Sequence, residues 1–176
     1  MAIKTGILGL ARREGTFAEV GLRSWEEAGC GAVERALTEG GEGLYVVHRP
    51  LVIRSSRAEA ERILRDWCDA PHEPSRCDLI LTVGGIGYAP EDVMPEATAA
   101  LIQRPAPGLA EFLRRVAGGG VSTQIALSRG VAGMRGRTLL VNLPGTAKAM
   151  ADQEGLSAAV ISLLPMLADL VAAAQG

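Results

Sequence analysis

Short, almost continuously apolar runs that alternate with helical patterns are the feature that most constrains the fold of this chain. A run of this kind is typical of a strand covered on both faces, as in a parallel sheet between helices. The four runs are Ile7 to Leu10, Leu44 to Val47, Leu79 to Val83 and Thr138 to Leu143. Ile125 to Leu127 is a candidate for a further short strand. We therefore predict an α/β fold, a three-layer α/β/α sandwich with a mostly parallel central sheet.

Two serine–glutamate pairs indicate where helices begin. Ser24 with Glu27, and Ser56 with Glu59, have the spacing of a capping box. In that motif the hydroxyl accepts from a free backbone N–H while the glutamate reaches back to the cap. After the second pair, one face of the helical pattern carries Ala60, Ile63, Leu64 and Trp67. We expect this apolar face to pack on the sheet.

Prolines and an apolar C-terminal stripe complete the helical pattern. Pro95 and Pro107 each suit the first position of a helix, where the missing N–H is harmless, and the helix from Pro107 is expected to end at residues 118–120, three glycines. The last helix carries one apolar stripe, formed by Leu156, Val160, Leu163, Leu164 and Leu167. The uncharged segment around it is shorter than the ~20 residues that span a bilayer, and Pro165 interrupts it, so we expect no membrane partner.

Composition indicates one globular domain and argues against several partner classes. The 176 residues are 48% hydrophobic and 22% charged, as in a single domain with a sizeable core. With a net charge of −2 and 3% aromatic residues, the chain lacks the basic surface expected of a nucleic-acid binder. Cys30, Cys68 and Cys77 form no CxxC and no close cluster with histidine. We therefore expect reduced thiols, a cytoplasmic location and no zinc-type metal site.

A glycine corner follows the third apolar run. In "DLILTVGGIGYAPEDVMPEATAALI", Gly84, Gly85 and Gly87 come directly after Val83. Open α/β sheets bind ligands at the carboxyl ends of their strands, and glycines there allow positive φ and a close approach to backbone N–H groups. The spacing is neither GxGxxG nor a P-loop. A ligand-binding loop and a plain tight turn therefore both remain open.

Asp92 stands five residues beyond the last of these glycines. A carboxylate at that point can bind Mg²⁺ or orient a nucleophile. The alternative is a solvated loop acid that is favoured by the dipole of the following helix.

A second corner ends the fourth apolar run. Pro144, Gly145 and Thr146 follow Leu143, and they can place N–H groups and a hydroxyl in a crevice. The alternative is a plain turn in which Thr146 caps the next helix. Earlier in the chain, Ser128 and Arg129 follow another apolar run. Arg129 suits either a phosphate contact or a structural ion pair.

These motifs together resemble the MoaB/Mog family of molybdenum cofactor biosynthesis, which includes molybdopterin adenylyltransferase and the N-terminal domain of gephyrin. The resemblance is strongest over "DLILTVGGIGYAPEDVMPEAT", and it continues through "PGLAEFLR" and "ALSRGVAGMRGRTLLVNLPG". It covers nearly the whole chain, so we expect residues 1–176 to form a single molybdopterin-binding domain.

The resemblance implies a function and a set of site residues. Family enzymes take molybdopterin and MgATP, join AMP to the terminal phosphate of the pterin and release pyrophosphate, and they assemble as homotrimers or hexamers. Asp92 falls on an aspartate important for activity. The residues implied to line the pterin and phosphate pocket are Gly84, Gly85, Gly87, Ser128, Pro144, Gly145 and Thr146.

The chain departs from the family pattern at several of these positions. Ile86 replaces a threonine between the glycines, Glu91 replaces an arginine before the acid, and Met94 replaces a threonine that caps a helix. An early SDR motif is replaced at residues 11–13 by Ala-Arg-Arg. Ser55 takes the place of a second functional aspartate, and a hydroxyl cannot supply the charge of a carboxylate.

Two hypotheses follow. The chain is either a molybdopterin adenylyltransferase or a binding protein that holds the pterin with little or no adenylyl transfer. A third class, the dinucleotide-binding oxidoreductases, would need GxGxxG and an acid about twenty residues later, and the sequence has neither.

Overall fold

A six-stranded mixed sheet organises the molecule, and helices cover both of its faces. The structure, a computed structural model, describes residues 2–11, 29–71, 76–118, 123–145 and 153–176. The strand order is β2-β1-β3-β6-β5-β4. The strands are β1 (Ile3–Ala11), β2 (Tyr45–Arg54), β3 (Leu79–Val83), β4 (Arg104–Pro105), β5 (Ala132–Arg135) and β6 (Thr138–Leu143). The predicted α/β architecture is confirmed.

Four of the six strands run parallel. β1 pairs with β2 and with β3, and β3 pairs with β6, all in the parallel sense. β5 and β4 extend the sheet beyond β6 as antiparallel neighbours. The carboxyl ends of β2, β1, β3 and β6 therefore share one edge of the sheet, which we call the carboxyl edge.

The core lies in two layers, one on each side of the sheet. Along β3, Leu79, Leu81 and Val83 point into one layer and Ile80 into the other, as the alternation of a strand requires. The helices are α1 (Cys30–Gly40), α2 (Arg57–Asp69), α3 (Met94–Ala99), α4 (Pro107–Gly118), α5 (Thr123–Ala126) and α6 (Gln153–Gln175). α1, α4 and α6 cover the first layer, and α2 and α3 cover the second.

The predicted strands are present, and β2 is longer than its apolar run indicated. It continues to Arg54 through Arg49 and Pro50. β2 lies at the edge of the sheet, where a strand alternates exposed and covered positions and proline is tolerated. The apolar pattern therefore marked only its beginning.

The candidate strand from Ile125 to Leu127 is wrong. Thr123–Ala126 is the short helix α5, and the N–H of Ser128 donates to the carbonyl of Ile125 at 3.0 Å to close a turn after it. Ile125 is buried, and a short buried apolar run cannot be assigned to helix or strand from its pattern alone.

The start of α2 agrees with its capping-box spacing. The N–H of Glu59 donates to Ser56 Oγ at 3.3 Å, so the hydroxyl caps the helix as predicted. The predicted apolar face of α2 is buried, and so are the members of the α6 stripe from Val160 to Leu167. Ser24, Glu27, two of the glycines after α4 and the side chain of Leu156 lie outside the described residues.

Of the two prolines, Pro107 begins its helix and Pro95 does not. α3 begins at Met94, so Pro95 occupies its second position. The cap residue is Val93, which makes no side-chain cap, and the N–H of Met94 instead donates to the carbonyl of Gly85 at 3.1 Å. A backbone carbonyl of the glycine corner thus satisfies one of the free donors that begin this helix.

None of the described helices is long and apolar enough to cross a membrane. The three cysteines are free and buried, and burial raises the pKa of Cys68 and of Cys77 to about 12. Those two thiols therefore stay protonated at neutral pH.

We expect Ser56→Ala to lower the free energy of unfolding by about 1 kcal/mol, because the N–H of Glu59 loses its acceptor at the start of α2. Ser56→Asp keeps an acceptor there and is the matched control. Urea denaturation of the two variants measures the difference. An equal loss in both would show that the cap does not stabilise α2.

Candidate functional site

The two predicted corners meet at the carboxyl edge. A Cβ placed on Gly84 would lie 3.7 Å from the carbonyl oxygen of Leu10 and 3.9 Å from Cα of Gly145. The N–H of Gly84 donates to the carbonyl of Leu143 at 3.0 Å. The turns after β3 and β6 and the end of β1 are therefore in contact. This contact brings together four of the predicted site residues, Gly84, Gly85, Pro144 and Gly145. Thr146 lies outside the described residues.

Two of the three glycines need the conformation that only glycine adopts easily. Gly84 has φ +84° and Gly85 has φ +66°, whereas Gly87 has no positive φ. A Cβ on Gly85 would also overlap Cδ2 of Leu10. The N–H of Gly84 is not available to a ligand, because it donates to the carbonyl of Leu143 and so completes the ladder to β6.

Asp92 is buried and takes part in the turn that follows the glycines. Only 3% of its surface is exposed. Its Oδ2 accepts from the N–H of Ala89 at 3.0 Å, and its own N–H donates to the carbonyl of Ala89 at 2.9 Å. The reading of Asp92 as a solvated loop acid is therefore wrong. The carboxylate shapes the loop, and its catalytic role remains a prediction.

Ser55 lies against the same loop. Its Oγ donates to the carbonyl of Glu91 at 2.6 Å, so the end of β2 contacts the residue that precedes Asp92. The position at which the resemblance implies a second aspartate thus lies against the loop that carries Asp92. In this chain it offers a neutral hydroxyl whose hydrogen already has an acceptor.

The side chain of Arg129 stabilises the loop that contains the glycine corner. Its Nε donates to the carbonyl of Gly87 at 2.6 Å, its Nη2 donates to the carbonyl of Asp92 at 2.7 Å, and its Nη1 forms an ion pair with Glu96 on α3. Its backbone N–H donates to the carbonyl of Ile86 at 2.9 Å. Of the two roles that the sequence left open for Arg129, the structure shows the structural one.

The ion pair also gives the corner a dependence on pH. The hydrogen bond from Arg129 holds the pKa of Glu96 below its usual value. A carboxyl group whose pKa is depressed by folding stabilises the folded state above its unfolded pKa and loses that contribution as the pH falls through the folded value. Both side chains are partly exposed, so solvent screens the contribution.

A small cavity lies beneath the corner. It is lined by Ile86, Arg114, Ser128, Asn142 and Pro144 and has a volume of about 10 Å³, the room of about one water molecule. It brings Ser128 and Pro144 together, and their role in binding a pterin remains a prediction. A pterin is far larger than this cavity, so the cavity itself does not hold a ligand of that size.

Asn142 is a structural residue that the pattern of the sequence did not reveal. Its Nδ2 donates to Oγ1 of Thr82 at 2.7 Å and to Oγ1 of Thr98 at 2.8 Å, and its Oδ1 accepts from the N–H of Val131 at 3.0 Å. The asparagine and both threonines are buried. This network ties β3, β6, α3 and the start of β5 together below the corner. A polar residue inside the last apolar run was the signal that could have pointed to it.

The described residues do not build a metal site by themselves. Among them there is no group of three histidine, cysteine, aspartate or glutamate side chains placed to hold an ion. At the corner, one oxygen of the Asp92 carboxylate accepts a backbone N–H, and the neighbouring position 55 is a serine. An ion at this edge would need oxygens from another source, such as the phosphates of a nucleotide.

Comparison with known proteins points to one family. A family model described as probable molybdopterin binding domain matches residues 35–163. A molybdopterin adenylyltransferase of Helicobacter pylori is 38% identical over 120 residues, which cover 68% of this chain and 64% of the relative. The match thus spans slightly less than two thirds of that protein's length. The molybdenum cofactor synthesis protein cinnamon of Drosophila melanogaster is 43% identical over 89 residues, 51% of this chain and 14% of that protein.

Solved structures agree over nearly the whole chain. The molybdopterin biosynthesis enzyme MoaB of Thermus thermophilus superposes with a TM-score of 0.73 at 34% identity and covers 98% of this chain and 96% of its own. The molybdopterin biosynthesis Mog protein of Mycobacterium ulcerans superposes with a TM-score of 0.73 at 28% identity and covers 98% and 99%.

We expect Arg129→Lys to loosen the glycine corner, because one ammonium group cannot reach Gly87, Asp92 and Glu96 together. The amide of Asp92 should exchange its hydrogen faster, and the free energy of unfolding should fall by about 1–3 kcal/mol. Hydrogen exchange with mass spectrometry measures the first effect.

Arg135→Lys is the matched control for this change. Arg135 pairs with both oxygens of Asp69, at 2.9 and 2.5 Å, and within the described residues it makes no hydrogen bond or ion pair with the glycine corner. Unchanged exchange at Asp92 in Arg129→Lys, or an equal change in Arg135→Lys, would contradict the role given to Arg129.

Proposed function

We propose that this chain, which belongs to the family of probable molybdopterin binding domains, binds molybdopterin at its carboxyl edge and serves molybdenum cofactor biosynthesis. The observation that carries the proposal is the contact between the turns of Gly84 and Gly145 where β1, β3 and β6 end. Open α/β sheets bind their ligands at such an edge. Glycines in these turns let a ligand approach the backbone closely.

The proposed binding surface extends from this contact. Ser128 and Pro144 belong to it because they line the cavity directly below the turns. Gly87 and Thr146 are included on the family pattern alone. The turn that is shaped by Asp92 forms the side of the surface nearest to β2.

Adenylyl transfer is the reaction that the related enzymes suggest. In it an oxygen of the pterin's terminal phosphate bonds to the α-phosphorus of ATP. The bond from that phosphorus to the oxygen bridging to the β-phosphate breaks, and pyrophosphate leaves. ATP enters as its magnesium complex, with the ion held by the triphosphate. We propose that this chain aligns the terminal phosphate of the pterin with the α-phosphate of ATP for this displacement, and that Asp92 fixes the loop beside them.

We propose further that this transfer is slow or absent in the native chain. Ser55 offers a hydroxyl, already donating to Glu91, where a second carboxylate would stand. Of positions 55 and 92, only Asp92 then carries a carboxylate. The negative charge available to attract the magnesium ion of MgATP is therefore smaller than with two carboxylates. The chain would then act mainly as a molybdopterin-binding protein.

Assembly and compartment are part of the same proposal. Leu44 and Val46 remain exposed at the start of β2, an edge strand, and Ile161 and Leu170 remain exposed on α6. Apolar surface of this kind is suited to burial between copies, as in a homotrimer or a dimer of trimers. The free, buried cysteines fit a reducing compartment such as the cytoplasm.

We expect Gly85→Val to abolish molybdopterin binding while the fold is retained, because a branched side chain at φ +66° would displace Leu10 and the loop. Isothermal titration with molybdopterin measures the affinity, and circular dichroism checks the fold. Gly136→Val is the matched control, since Gly136 has φ +54° in the open turn between β5 and β6. Unchanged binding in Gly85→Val would show that the corner is only a turn.

We expect Ser55→Asp to raise the rate of AMP transfer from ATP to molybdopterin by about a hundredfold or more, because it restores a charge that stabilises the transferring phosphates. Ser55→Asn has the same shape without the charge and should stay as slow as the wild type. The rate of pyrophosphate release, with molybdopterin present and absent, measures the effect.

Asp92→Asn completes this set, because the amide oxygen keeps an acceptor for the N–H of Ala89 while the charge is lost. Its rate should fall further below that of the wild type. A wild type as fast as Ser55→Asp would contradict the reduced activity proposed here.

A further inference from the structure

Tyr88 is an exposed aromatic side chain directly beside the glycine corner. It follows Gly87, and 75% of its surface is exposed, more than for any other large hydrophobic side chain of the described residues. The neighbouring Leu127 is 65% exposed. The chain has only six aromatic residues, two each of tryptophan, tyrosine and phenylalanine. One of these few rings therefore lies in the open at the proposed binding edge.

The Tyr88 ring is held in place at two points. Its hydroxyl donates to the carbonyl of Leu127 at 2.9 Å. The guanidinium carbon of Arg129 lies 5.7 Å from the ring centre, within the range of a cation–π contact. Arg129 is itself fixed by the carbonyls of Gly87 and Asp92 and by Glu96. The loop that carries Asp92 and the ring of Tyr88 are thus held by the same guanidinium group.

A ring held in this way is preorganised for stacking against a planar ligand. A single exposed apolar side chain is ordinary in a folded protein, but it is usually free to move. Tyr88 has already given up that freedom to its two contacts, so that a ligand would not have to order it. One side of the ring faces the guanidinium, and the exposure of the residue leaves the other side accessible.

We propose that Tyr88 is the stacking platform for the planar heteroaromatic ring of the ligand bound at the carboxyl edge. The inference rests on the proposed function, which supplies two such rings, the pterin and the adenine of ATP. Stacking on an aromatic side chain requires only a flat π-face, so either ring satisfies the chemistry. Arg129 is then a positioning residue that acts through Tyr88 and does not contact the ligand.

Three variants at position 88 separate planarity from bulk and from the hydroxyl. Tyr88→Phe keeps the ring and loses the bond to Leu127, Tyr88→Leu keeps apolar bulk without a flat face, and Tyr88→Ala removes both. Val46→Ala, which shortens an exposed apolar side chain at the start of β2, is the matched control. Melting temperatures of all four variants check that the fold is kept.

Isothermal titration with molybdopterin and, separately, with AMP measures the affinities. We expect Tyr88→Leu and Tyr88→Ala to bind one of the two ligands about tenfold or more weakly than the wild type. Tyr88→Phe should bind it within about threefold of the wild type, because the flat face is kept, and Val46→Ala should match the wild type. The ligand whose affinity falls identifies the ring that stacks. If molybdopterin is that ligand, its pterin fluorescence should be quenched on the wild type and not on Tyr88→Leu.

The outcomes separate this inference from the proposed function. If the wild type binds molybdopterin, Gly85→Val loses it and Tyr88→Leu binds both ligands as tightly as the wild type, the platform is refuted while the function stands. If the wild type binds neither molybdopterin nor AMP, both proposals are refuted. A fall in oligomer mass of Tyr88→Ala by light scattering, with unchanged affinities, would assign the ring to a contact between copies and would also refute the platform.

Discussion

The register between three parallel strands is the constraint on which the candidate site depends. β1 and β3 are aligned with Gly9 opposite Val83, and β3 and β6 with Val83 opposite Leu143. β3 and β6 therefore end at the same level, beside the last residues of β1, which continues to Ala11, and the two glycine-containing turns come into contact. A shift of one residue would turn every side chain of a strand to the other face and would separate the turns. Burial of both core layers thus also sets the geometry of the site.

Two polar groups maintain that geometry where hydrophobic packing ends. Asn142 satisfies two threonine hydroxyls and a backbone N–H below the corner, inside the sheet. Arg129 satisfies carbonyls of the loop above it and pairs with α3. Buried polar groups stabilise a single arrangement when all their partners are in place, because an unpaired one is unfavourable in the interior. Asn142 therefore fixes the strands and α3 beneath the corner, and Arg129 fixes the loop that carries Asp92.

Under the proposed function, different groups support the binding surface and the residue at position 55. The turns and their supports consist of backbone groups, Arg129 and Asn142, and none of these depends on the residue at position 55. Within the described residues, the side chain of Ser55 forms a hydrogen bond only with the carbonyl of Glu91. A serine at position 55 lacks the charge of a carboxylate, and it takes no part in the bonds of Arg129 or Asn142.

Much of this fold could be predicted from the sequence, because strands buried on both faces leave continuous apolar runs and Ser56 has the spacing of a cap. The conformations of Gly84 and Gly85 also followed from residue type and position. Other features could not be predicted, because they depend on contacts between distant parts of the chain. Examples are the burial of Asp92, the hydrogen bonds of Arg129 and the network of Asn142. Three of these hydrogen bonds join residues that are 33 to 60 positions apart in the sequence. The short helix α5 was missed because three apolar residues have no readable period.

A crystal structure of the chain grown with molybdopterin would show directly whether the ligand binds over the carboxyl edge, where the turns of Gly84 and Gly145 meet. We expect density for the ligand above these two turns, with the side chain of Tyr88 beside it and the loop of Asp92 unmoved. Density for the pterin at any other place on the molecule would refute binding at this edge.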